Sequence, residues 1–184
     1  MKNLPILNVQ FFRDRRACYD PAKVLGEDWS GTILDLLNME NIPAFDKMWA
    51  FSQIGATSLS IQRLAAVNLV RLTPLGDGRT VFNLLTDQRS IDALIVAERY
   101  AKGKATKEKL KIAAAAADAA YADATDAAAY AVAAAAYAAT DAAYADADAA
   151  AVAAVAVDAA YAVAAATTKK AQVQIIIDTI IKEL

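Results

Sequence analysis

Histidine is absent from this 184-residue chain, and cysteine occurs once, at Cys18. The first absence removes the usual general base near neutral pH, the commonest metal ligand and every Ser-His-Asp or Cys-His arrangement. The second removes any internal disulfide, and Cys18 reads as a small buried hydrophobe. Glycine and proline number only six and four, and neither occurs between Ile112 and Thr168. Positive charge is missing from the same stretch. No window of about 20 residues is both charge-free and strongly apolar, as a membrane span requires. Met1 to Leu7 has neither the apolar run nor the cleavage pattern of a secretory signal. These absences predict a cytoplasmic protein with no membrane partner, no bound metal and no cofactor.

What fills Ile112 to Thr168 is alanine, interrupted almost only by Asp, Tyr, Val and Thr. Alanine gives up no side-chain entropy on entering a helix, so a breaker-free run of this length predicts helix throughout. The fold class is therefore all-α. A helical head spans residues 1–103, and residues 104–184 form an alanine-rich helical region with a terminal helix, the two making one continuous domain. The 58% hydrophobic share is inflated by alanine, so the larger core side chains lie toward the two ends.

The head is punctuated by local signals. Met1 to Phe12 alternates apolar and polar residues loosely and reads as an extended arm or short strand. Asp20-Pro21 opens a short helix that Gly26 closes. Ser30 or Thr32 caps a second helix through Leu37. Pro43 starts a third, from Ala44 to about Ser52, with Phe45, Met48, Trp49 and Phe51 in the core. A fourth runs from Ser58 or Ser60 to Leu72, with Ile61, Leu64, Ala65 and Leu72 on its apolar stripe and Gln62, Arg63 and Asn68 turned away. Pro74 to Gly78 is a tight turn, since no ligand series follows it at phosphate-loop or calcium-loop spacing. Thr80 to Leu85 is a short helix, and Ser90 caps a longer one that Gly103 ends.

Thr106 caps the alanine-rich region. At the far end Val173, Ile176, Ile177, Ile180 and Leu184 follow helical spacing and require an apolar partner. A single helix from Thr106 to Ala166 would run roughly 90 Å at about 1.5 Å per residue, against a radius of gyration of about 16 Å for a compact domain of this size. The chain is expected to fold back at least once, at Ala124-Thr125-Asp126 or Ala139-Thr140-Asp141, with the long helices closely packed. A pentapeptide-type β-helix is disfavoured, because the inward Leu or Phe every five residues is missing.

Charge is unevenly placed. Seven aspartates and no basic residue lie between Ile112 and Thr168, so the rest of the chain is net basic although the whole carries −2. Lys102, Lys104, Lys107, Lys109 and Lys111 crowd the junction, opposed to the dipole of the helix they precede. The aspartates read either as a solvated face that keeps an alanine helix soluble or as an acidic docking surface. In the second reading the candidate partner-binding residues are Asp118, Asp126, Asp141 and Asp148, with Tyr130, Tyr137 and Tyr144 sharing one face at a spacing of seven. The head arginines Arg13, Arg15 and Arg16 are the fallback. No catalytic group is assigned, because Asp14, Asp20, Glu27 and Asp28 stand without a nucleophile, base or metal cluster at recognisable spacing.

Five segments carry a family resemblance: Asp14-Arg15-Arg16-Ala17-Cys18-Tyr19-Asp20-Pro21, Gly31-Thr32-Ile33-Leu34-Asp35-Leu36-Leu37-Asn38, Ile42-Pro43-Ala44, Thr73-Pro74-Leu75-Gly76-Asp77-Gly78-Arg79-Thr80 and Ala97-Glu98-Arg99-Tyr100-Ala101. Together with the alanine tail they resemble an alanine-rich group of bacterial and phage-borne proteins described as immunity proteins of polymorphic toxin systems. Tails in that group carry Arg and Trp beside Asp, whereas this one carries Asp and Tyr without Arg. The resemblance implies a binding protein and no catalytic residue. The expected function is non-enzymatic: a protein that binds and inhibits a partner, either a toxin or a nucleic-acid-binding protein, without touching nucleic acid itself. The alternative is a self-assembling helical protein whose partner is a second copy of the chain.

Overall fold

The computed structural model describes residues 3–75, 77–122 and 167–184. Their regular structure is helical apart from a minimal antiparallel ribbon, in which β1 (Leu7–Asn8) pairs with β2 (Ser30–Gly31), and an isolated antiparallel bridge between Pro74 and Thr80. A Cβ on Gly31 would meet the Trp29 ring at 3.1 Å and the Asp35 carboxylate at 3.2 Å, so glycine is what lets this strand lie so close. Helix α1 (Val9–Asp14) follows β1 directly. The loose alternation near the N-terminus thus gives way to helix at Val9, because the Asn8 side chain caps it by accepting the Phe11 N–H at 2.9 Å.

Most of the expected punctuation is present. Helix α2 (Ala22–Leu25) begins after Pro21 and stops at Gly26, whose φ of 87° is left-handed. Helix α3 (Ile33–Asn38) opens on a reciprocal capping box of Thr32 and Asp35. The Thr32 N–H and hydroxyl both bond the Asp35 carboxyl and hold it below the usual carboxylate range. Helix α4 (Ala44–Ser52) starts after Pro43, and α5 (Leu59–Leu72) is capped by Ser58. A tight turn closed by the Leu75 N–H donating to Arg79 O at 2.9 Å leads to a 3-10 turn (Val81–Leu84). Helix α6 (Gln88–Ala101) ends before Gly103, at φ 67°. Helix α7 (Lys107–Ala122) begins where Thr106 Oγ1 accepts the Lys109 N–H at 3.3 Å. Helix α8 (Thr167–Glu183) closes the chain.

Five local expectations are corrected. Asp87, not Ser90, caps α6, accepting the Arg89 N–H at 2.8 Å, while Ser90 is buried in the first turn. Gln62 is buried rather than turned away, and its amide donates to Phe51 O and Gln53 O at 2.9 and 3.1 Å. That locks the α4–α5 connection. Leu72 and Phe45 are each 54% exposed instead of buried, Leu72 because it sits in the last turn of α5. Cys18 is exposed, since it lies in the loop after α1 rather than on a helix face.

Two apolar clusters hold these elements. The first joins Phe12, Leu37, Phe51, Ile61 and Leu69 to Val173, Ile176, Ile177 and Ile180, so α8 is built into the core of the head. Each such Leu, Ile or Phe contributes about 1.5–3 kcal/mol by leaving water, and Asn68 registers the contact by donating to Thr179 Oγ1 at 2.9 Å. The second cluster gathers Val67, Val70, Val81, Leu94, Ala97 and Leu110. Here α6 and α7 pack through small residues: Ala93, Ala97 and Ala101 are buried on one, Ala117 and Ala120 on the other. Among the described residues no helix is long and apolar enough to cross a membrane. The fold-back expected of the alanine-rich region falls on residues outside the described ones.

Candidate functional site

The reversal after α1 covers a concavity of the head. Arg16 ends the helix in the left-handed region, at φ 57°, and turns Ala17-Cys18-Tyr19 back over the α3–α4 side of the molecule. Two neighbouring arginines fix that turn. Arg13 grips Glu27 with two bonds of 2.8 and 3.0 Å and reaches Asp20 at 3.0 Å. Its guanidinium bond holds Glu27 below the ordinary carboxylate range, and Asp20 is lowered first by the Ala22 N–H and then by Arg13. Arg15 lies 3.6 Å over the Phe11 ring and donates to Ile54 O at 2.7 and 3.2 Å, tying α1 to the loop after α4.

These clamps leave a pocket of about 60 Å³, lined by Phe12, Leu36, Ile42 and Trp49 at its base and by Cys18, Tyr19, Phe45 and Asp46 toward its mouth. Phe12 sets the base, in tilted contact with Trp29 and Trp49 at 6.1 and 6.2 Å between ring centres. At the mouth the Tyr19 hydroxyl donates to Asp46 Oδ2 at 2.6 Å. Partial burial, then that carboxylate, push the Tyr19 phenol up to about 12. No group of three or more His, Cys, Asp or Glu able to hold a metal ion occurs among the described residues. The pocket offers apolar surface, the Cys18 thiol and the Tyr19–Asp46 pair.

Of the residues singled out from the sequence, Asp118 is exposed on α7. It stands on an outward stripe with Lys111, Ile112, Ala115, Ala119 and Ala122, opposite the buried Leu110 and Ala117. Asp126, Tyr130, Tyr137, Asp141, Tyr144 and Asp148 lie outside the described residues. Arg13 and Arg15 are consumed by the internal contacts above, which leaves Arg16 as the exposed arginine of that group. The pocket residues Tyr19, Phe45 and Asp46 were not readable as a site. They come from two segments whose local patterns indicate only a loop and a core helix.

No protein-family model, no curated protein and no solved structure matches this chain.

Proposed function

We propose that this protein is a non-enzymatic binding protein that inhibits a protein partner, in the manner of the toxin-neutralising immunity proteins that its head motifs resemble. The observation that carries the reading is the head pocket. At about 60 Å³ it is far below the roughly 300–1,000 Å³ of sites that enclose whole small molecules. It suits one apolar anchor side chain from a partner, desolvated between the exposed rings of Tyr19 and Phe45. The acidic alanine-rich surface, of which Asp118 is the described member, supplies steering charge toward a basic partner.

The test is capture of a partner from the native host on immobilised protein, then co-expression of the captured protein with this chain. Relief of the captured protein's toxicity or activity supports the reading, and a partner whose activity is unchanged contradicts it. Self-assembly is the second reading, favoured by the small outward residues Ala115, Ala119 and Ala122, which let another helix approach closely. Sedimentation separates the two. A concentration-dependent dimer that Ala119→Glu dissociates would favour assembly, and a monomer would not.

A further inference from the structure

The lining of the head pocket sets several aromatic rings around one charge. Tyr19, Phe45 and Trp49 line it together with the buried Phe12, whose ring centre lies 6.2 Å from that of Trp49. Tyr19 and Phe45 are 42% and 54% exposed and Trp49 is half-buried, so solvent reaches these side chains. An aromatic ring is negative over its face. Among the described residues that line the pocket, Asp46 is the charged one, with no lysine or arginine beside it. The Tyr19 hydroxyl occupies Asp46 Oδ2 at 2.6 Å but leaves the carboxylate its charge, and no ion pair to Asp46 occurs among the described residues. Rings and carboxylate favour the same ligand, a cation with an apolar surface.

The kind of cation follows from its donors. A lysine ammonium brings three N–H donors and a guanidinium five, whereas the charged acceptor facing them is one carboxylate with one oxygen already engaged. Donors buried there without a partner cost free energy. A trimethylammonium group brings no donor and spreads its charge over methyl groups, the surface that aromatic rings attract. We propose that the head pocket is a binding site for a trimethylammonium head group, seated among Tyr19, Phe45 and Trp49 with Asp46 as its counter-charge. A pocket of about 60 Å³ takes the head alone and leaves the rest of the ligand in solvent, which suits a trimethyllysine side chain of a partner or free choline. The inference rests on the reading of this pocket as the seat of a partner's anchor, whose chemistry it names, and not on inhibition of that partner.

The experiment is NMR titration of the full chain with choline, with N-acetyl trimethyllysine amide, and with 3,3-dimethylbutanol, the uncharged isostere of choline. Saturable binding of a trimethylammonium compound is expected, about tenfold tighter than that of the alcohol. Asp46→Asn and Phe45→Leu should each weaken the cation severalfold while the alcohol is unaffected, and Asp92→Asn, on α6 and outside the pocket lining, should change nothing. Circular dichroism of each variant checks the fold. Binding of the trimethyllysine amide supports a partner's side chain as the source, and binding of choline alone supports a free small molecule. The proposal is overturned if neither cation saturates, if cation and alcohol bind equally, or if Asp92→Asn weakens binding as much as Asp46→Asn. Should the cations fail while Phe45→Ser still weakens a captured partner, the pocket stands as an anchor site and only its choice of a cation falls.

Discussion

Tyr19 and Asp46, 27 residues apart in the chain, meet at 2.6 Å across the mouth of the head pocket, hydroxyl to carboxylate. The contact ties the loop after α1 to α4. It also makes a forecast about titration. The folded Tyr19 phenol is raised from about 10 to about 12, so the neutral phenol is the form that folding prefers. Its stabilising effect is complete below pH about 10 and is lost as pH rises from there toward 12. Phenolate absorbance should reveal one late-titrating tyrosine that Tyr19→Phe removes and that Asp46→Asn shifts back toward ordinary values. A Tyr19 that titrates normally in the parent would mean the contact does not form in solution.

The small-residue seam between α6 and α7 predicts a contrast between two alanines. Ala97 is buried against the second cluster, whereas Ala119 is exposed. Ala97→Leu should overpack the seam and cost about 1–3 kcal/mol in denaturant unfolding. Ala119→Leu should stay within about 0.5 kcal/mol. Equal tolerance at both positions would mean that α7 does not pack on α6.

Gln172 is 1% exposed on the inner face of α8, and neither its amide nitrogen nor its oxygen has a hydrogen-bond partner among the described residues. A buried amide left unsatisfied costs about 1–3 kcal/mol. Gln172→Met, of similar length and without the polar atoms, should therefore raise the denaturant midpoint. A fall in stability of the same size would show that the amide is engaged.

Much of the fold was legible because it is written locally. Pro43, Thr32 with Asp35, Ser58, Thr106 and Gly103 each act on the backbone within a few residues of themselves, and they mark helix ends where a sequence reader expects them. The periodic isoleucines of α8 announced a buried face. What they face was not legible, because the segments they join are more than a hundred residues away, as the Asn68 to Thr179 bond illustrates. Asp87 and Ser90 are both good caps three residues apart, so sequence alone could not choose between them. Gln62 and Phe45 exchanged their expected environments for tertiary reasons: one satisfies the carbonyls of the α4–α5 turn, the other borders a pocket made by a distant loop. The candidate site failed to show for the same reason, as Arg13 meets Asp20 and Glu27, and Tyr19 meets Asp46, only through pairings over 7 to 27 residues.

The most direct test of a partner-binding role is the affinity of the captured partner for four proteins, at low and at physiological salt. They are the parent, Phe45→Ser, Asp46→Asn, and a variant with Asp118, Asp126, Asp141 and Asp148 changed to Asn. A pocket-anchored, acid-steered encounter predicts about tenfold or greater weakening by Phe45→Ser at both salt concentrations. It also predicts a flatter salt dependence for the four-Asn variant, whose missing charges no longer speed the encounter. Four proteins with indistinguishable affinities and salt slopes, all folded by circular dichroism, would contradict both the pocket and the acidic surface as the place where the partner binds.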